Sequence, residues 1–196
     1  MAELAPAAKR ARPRGLDARV SSICLPPIGT IRCLTVGKDG MVFGCTDSAL
    51  YVFSPGNIVS KLAGSEKETG FADGQGDEAR FYSPQGLAVD HDGSLLVTDT
   101  GNHRLRRVTL HGTVSTVAGN GQPGFADGVG AAARFYYPWG IAVDAHGNIY
   151  VSDVTNNCIR MVAPADGIVS TVCGGPRNNG FADGQGAAAR FYGPRF

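Results

Sequence analysis

The sequence predicts an all-β fold of repeated four-stranded antiparallel units, a β-propeller that is incomplete within these 196 residues. Three observations carry this prediction. Gly70-Phe71-Ala72-Asp73-Gly74 returns 54 residues later as Gly124-Phe125-Ala126-Asp127-Gly128, and 56 residues after that as Gly180-Phe181-Ala182-Asp183-Gly184. Self-similarity at such a period marks a supersecondary unit that buries its apolar faces only against copies of itself, as in propellers and solenoids. Between the copies run short apolar segments punctuated by glycine turns, four to a repeat. Several of these are apolar on consecutive residues, as in Leu95-Leu96-Val97 and Ile149-Tyr150-Val151. That is the pattern of a sheet covered on both faces.

Each unit reads as a meander. The second, about residues 85–119, has strands at Leu87 to Asp90, Ser94 to Thr98, Arg104 to Leu110 and Thr113 to Ala118. Asp92-Gly93 supplies the positive φ of its first hairpin, and His111-Gly112 turns the last. The third unit, about 139–174, matches it with Ile141 to Asp144, Asn148 to Ser152, Cys158 to Ala163 and Ile168 to Cys173. A degenerate first unit, about 31–64, shows Ile31 to Val36, Met41 to Cys45, Ala49 to Phe53 and Ile58 to Ala63. Val20-Ser21-Ser22-Ile23-Cys24 copies the fourth strand Val169 to Cys173 without three strands before it, an orphan strand of the kind that closes a ring. Residues 180–196 replay the linker that precedes each unit, which reads as a truncated next repeat. In the linkers, Ala131 to Ala133 and Ala187 to Ala189 suit one helical turn.

Composition bounds the function classes. With 43% hydrophobic and 18% charged residues the chain can bury a core, and no apolar run approaches a membrane-spanning length, so a soluble protein with no membrane partner is expected. No signal-peptide core opens the chain, which points to a cytoplasmic or nuclear location. Residues 1–19 hold Lys9, Arg10, Arg12, Arg14 and Arg19 among prolines and alanines, a basic tail expected to be disordered and readable either as a solubilising segment or as a nuclear address. Five cysteines, Cys24, Cys33, Cys45, Cys158 and Cys173, make an odd count without a Cys-x-x-Cys pair; buried free thiols in a reducing compartment are expected. The formal net charge of +1 gives no global pull toward nucleic acid.

Pro84-x-Gly86-Leu87-Ala88-Val89-Asp90 followed by Leu96-Val97-Thr98-Asp99-Thr100-x-Asn102-His103-Arg104-Leu105 resembles the NHL repeat. The third unit varies it as Pro138-x-Gly140-Ile141-Ala142-Val143-Asp144 and Tyr150-Val151-Ser152-Asp153-x-x-Asn156-Asn157-Cys158-Ile159-Arg160, losing the His-Arg pair; the first unit lacks the Asn-His segment. The resemblance implies a propeller of usually six blades, of which this chain would be the N-terminal half.

Candidate chemistry is sparse. Gly119-x-Gly121-x-x-Gly124 spells a dinucleotide fingerprint, but Pro123 interrupts it and no crossover helix follows. No histidine spacing suits a metal, and no cofactor is expected. Asp99, Asn102, His103, Asp153 and Asn156 are read as a structural signature in which the Asx side chains satisfy turn amides, because a single active site needs no copy. The linkers repeat Arg80, Arg134 and Arg190 together with Tyr82, Tyr136 and Tyr192, once per blade on one face. With Trp139 they form the candidate binding residues, a surface for an acidic peptide or single-stranded RNA. The competing structural expectation pairs each arginine with the aspartate seven residues upstream, Asp73, Asp127 or Asp183, with the aromatics wedged between blades. The function expected is a non-catalytic scaffold binding a protein partner, with RNA a second partner class and self-association of the open arc. The alternative is a metal-dependent enzyme, lyase-like or lactonase-like, whose catalytic part lies elsewhere.

Overall fold

The computed structural model describes residues 28–38, 40–55, 58–164 and 166–195. The basic tail and the orphan strand 20–24 lie outside these. The described strands run in chain order as β1 (Cys33–Val36), β2 (Val42–Cys45), β3 (Ala49–Ser54), β4 (Ile58–Gly64), β5 (Gly74–Gln75), β6 (Gly86–Val89) and β7 (Leu95–Asp99). They continue as β8 (Arg104–Val108), β9 (Thr113–Ala118), β10 (Gly128–Val129), β11 (Pro138–Val143), β12 (Ile149–Asp153), β13 (Cys158–Val162) and β14 (Ile168–Gly174). They form three antiparallel sheets ordered β1-β2-β3-β4, β5-β9-β8-β7-β6 and β10-β14-β13-β12-β11. The three predicted blades are therefore present. The second and third sheets gain a feature that the repeat did not announce: a two-residue strand from the linker before the blade, β5 or β10, pairs with its fourth strand.

The cores lie between blades. One cluster joins Phe43, Cys45 and Leu50 of the first blade to Leu87, Leu95, Val97 and Val108 of the second, with Phe81 of the linker at its centre. The next joins Leu96, Leu105 and Ala118 of the second blade to Ile149, Val151, Val162 and Val169 of the third, around Phe135. Consecutive residues Leu95, Leu96 and Val97 thus serve opposite faces, which explains their unbroken apolar run. Phe81 and Phe135 are wholly buried, and truncating either to alanine removes about 3–5 kcal/mol. At the end of each fourth strand a glycine turns the chain through positive φ. A Cβ on Gly119 (φ +95°) would stand 2.5 Å from the His103 carbonyl oxygen, so only glycine closes the blade there.

One expectation fails. Cys33 and Cys45 face each other across β1 and β2, with Cα atoms 5.5 Å apart, and are joined as a disulfide. The odd count suggested free thiols, but strand register, which brings residues twelve apart into direct opposition, decides pairing. This removes the thiol argument for a reducing compartment. Cys158 and Cys173 are free, and burial pushes the Cys158 thiol up to about 12.

Candidate recognition surface and the network beneath it

Each linker folds back on itself. In the first, Arg80 N–H donates to the Ala72 carbonyl at 3.1 Å and Gly70 N–H to that of Phe81 at 3.0 Å, and the second and third linkers repeat both bonds. A three-residue 3₁₀ turn, Gly76–Glu78, Gly130–Ala132 or Gly186–Ala188, stands where one helical turn was predicted.

The aspartates of these loops do not pair with the arginines seven residues on. Asp73 Oδ1 takes a hydrogen bond from Arg106 Nη2 at 2.6 Å, and Asp127 Oδ1 takes one from Arg160 Nη2 at 2.7 Å. Arg106 and Arg160 come from the third strands of the second and third blades and are wholly buried. Their Nη1 groups donate to Asp99 Oδ2 (2.6 Å) and Asp153 Oδ2 (2.9 Å). The same guanidinium groups reach linker carbonyls, Arg106 those of Ala72 and Arg80, and Arg160 those of Ala126 and Arg134. Aromatic rings flank each one: Phe71 at 4.8 Å and Phe81 at 5.3 Å from Arg106, Phe125 at 4.9 Å and Phe135 at 5.3 Å from Arg160. Buried charge persists only when paired and hydrogen-bonded, and here every Nη has an acceptor.

The signature residues complete this staple. Asp99 Oδ1 accepts from Tyr82 N–H, and Asn102 Nδ2 bridges Asp99 Oδ2 and the Gly70 carbonyl. Asp153 and Asn156 repeat the arrangement with Tyr136 N–H and the Gly124 carbonyl. The sequence reading has the Asx residues satisfy amides of their own turn; they instead satisfy linker backbone seventeen and thirty-two residues away, and within the turn they bond only to each other. Burial pushes both carboxyls up, Asp153 to about 6, against the pull of the asparagine, tyrosine amide and arginine donors. The groups that surround them are donors, which favour the ionised form and oppose the push of burial. His103 accepts through Nδ1 from Tyr137 N–H at 3.1 Å; Asn157 Oδ1 does the same for Gly193 N–H at 2.9 Å.

With its aspartates engaged below, the linker face is left to the candidate binding residues. Arg80 is held by Glu68 at 2.8 Å and by two carbonyls. Arg134 and Arg190 are exposed and make no ion pair among the described residues. Tyr82 is half exposed and Tyr192 more so; Tyr136 stacks on Tyr137, whose ring meets His103 edge-on. Trp139 lies inside β11 with the Arg195 guanidinium 4.7 Å above its ring. The structure thus separates the predicted arc: Arg80 is a partnered member, while Arg134 and Arg190 are free of acids. Sequence reasoning missed Arg106 and Arg160, although they recur at the same 54-residue spacing as the motif and Arg160 is the one charge in an otherwise apolar strand.

Four-stranded sheets packed face to face around linker aromatics define a β-propeller. Residues 81–107 and 135–160 match the NHL repeat. The chain is 34% identical over 91 residues to "Protein SUPPRESSOR OF QUENCHING 1, chloroplastic" of Arabidopsis thaliana, covering 46% of this chain and 9% of that protein. It is 36% identical over 92 residues to "NHL repeat-containing protein 2" of Bos taurus, covering 46% of this chain and 12% of that one. The chain spans about a tenth of the length of these relatives. Among solved structures, a protein of unknown function from Bacteroides thetaiotaomicron superposes with a TM-score of 0.72 at 22% identity, over 85% of this chain and 41% of that one. Among the described residues no helix is long and apolar enough to cross a membrane.

Proposed function

We propose that this chain is a non-catalytic interaction scaffold whose linker face binds an acidic segment of a protein partner. One observation carries the reading. Asp73 and Asp127 are consumed by buried Arg106 and Arg160, and neither Arg134 nor Arg190 makes an ion pair among the described residues, so both project beside exposed tyrosines. Arginine and tyrosine are the residue types that anchor interfaces, and an unpaired guanidinium selects carboxylates by bidentate hydrogen bonding. Charge is uneven along the linkers. The first holds Glu66, Glu68, Asp73, Asp77 and Glu78 against Lys67 and Arg80, whereas the third holds Arg177, Arg190 and Arg195 against Asp183. The acidic partner is accordingly expected at the second and third linkers.

The test is fluorescence anisotropy with a labelled Asp/Glu-rich peptide. The pair Arg134→Ala and Arg190→Ala should weaken binding about tenfold, with thermal midpoints unmoved. A single-stranded RNA oligomer bound more tightly, with a steeper loss in salt, would reassign the surface to nucleic acid. Equal binding by wild type and variant would remove it as a recognition site.

A further inference from the structure

The third linker repeats the cradle that holds Arg106 and Arg160, and among the described residues nothing fills it. Its inner bonds are already made: Arg190 N–H donates to Ala182 O at 3.0 Å and Gly180 N–H to Phe191 O at 3.0 Å, matching the two filled copies to about 0.1 Å. The acceptors are therefore set, with the carbonyls of Ala182 and Arg190 in the places of Ala72 and Arg80, and Asp183 in the place of Asp73. The rings are set as well. Phe181 and Phe191 stand where Phe71 and Phe81 flank Arg106, yet Phe181 is 94% exposed against 46% for Phe71 and 41% for Phe125. These residues line an open cleft of about 510 Å³. Asp183 makes no ion pair among the described residues, whereas its two counterparts each hold an arginine.

We propose that residues 180–194 form a guanidinium receptor, which takes an arginine presented from the third strand of a four-stranded blade, as Arg106 and Arg160 are presented. The occupant follows from the filled copies. In both, the cradle is closed by the blade next in sequence, never by the one before, and the group inserted is an arginine whose two Nη atoms meet one carboxylate and two carbonyls of the linker. A lysine offers a single point charge and cannot span those acceptors while lying flat between two rings. This proposal does not rest on the acidic-partner reading, since it uses Asp183 and Phe181 rather than the side chains of Arg134 and Arg190.

The probe is a head-to-tail cyclised hairpin of residues 149–162, which brings Asp153, Asn156 and Arg160 as the third blade does. The whole chain should bind it, with amide shifts in nuclear magnetic resonance centred on Ala182 and Arg190. Arg160→Lys in the hairpin and Asp183→Asn in the protein should each weaken binding about tenfold or more, and Phe181→Ala several-fold. Both protein variants alter exposed side chains, so an unchanged circular dichroism spectrum accompanies either loss. Undetectable binding, equal binding of the arginine and lysine hairpins, or full binding by both protein variants overturns the proposal. A dimer of the wild-type chain that Asp183→Asn dissolves, with no competition from the hairpin, would assign the cradle to a second copy and overturn it too.

Discussion

The first blade and the two that follow it share one sheet plan and differ in what stands at its centre. All three have the same bulge between third and fourth strands, after Leu50, Leu105 and Ile159. That register puts Tyr51 where Arg106 and Arg160 stand, each opposite one residue of the second strand: Gly44, Val97 and Val151. Thr46 then takes the place of Asp99 and Asp153, and its hydroxyl turns back to Ala49. Tyr51 donates to Glu66 at 3.1 Å, and burial with that carboxylate pushes the phenol up to about 12. Glu66 belongs to the linker after the blade, not to the one before it. A blade is therefore built here without a buried ion pair at its centre. The buried ionic cluster does something else, which is to hold the preceding linker against it.

The comparison breaks if removing that cluster costs no more than removing its counterpart in the first blade. Arg160→Ala leaves Asp153 buried without its cation and should cost about 3–5 kcal/mol in urea unfolding, and Arg106→Ala as much. A double-mutant cycle should show clear coupling of Asp127 to Arg160 and none of Asp127 to Arg134. Coupling to Arg134 instead would restore the local pairing that the loop's sequence suggested.

Tyr51→Phe in the first blade removes one partly exposed hydrogen bond and should cost only about 0.5–1.5 kcal/mol in the same assay. A loss as large as that of Arg160→Ala would mean that the first blade too is stapled by its central polar side chain.

The smallest effect separates the second blade from the third. His103 is held neutral, its affinity for a proton lowered by burial and by Arg104, because Nδ1 must accept from Tyr137. The unfolded imidazole takes a proton near 6.5, the folded one only at lower pH, so in that window the unfolded state holds more protons. Stability should then rise with pH up to about 6.5 and level off above it, a change below about 1 kcal/mol. His103→Asn copies the acceptor that Asn157 supplies in the third blade and should flatten this segment of the profile. An unchanged slope would place the titration elsewhere.

Blade boundaries, hairpin turns and the linker motif were legible because each depends on residues near one another: Asp92-Gly93 for a turn, Leu95-Leu96-Val97 for two covered faces. The partner of Asp73 was not. Proximity in sequence favoured Arg80, whereas the backbone carries that side chain outward to Glu68 and brings Arg106, thirty-three residues on, beneath the loop. An arginine between leucine and arginine in a strand looks like one more solvated charge until the register shows Arg106 facing inward. Cys33 and Cys45 were hidden for the same reason, their opposition being a matter of strand pairing.

Every bond of the arginine staple closes within thirty-four residues, and always toward the later residue. In chain order each linker precedes the side chain that closes it, which lies on the third strand of the next blade, and its own two-residue strand pairs with the fourth. Loops this short close at little entropic cost. The staples thus run one way along the chain, each repeat displaying the socket for its successor.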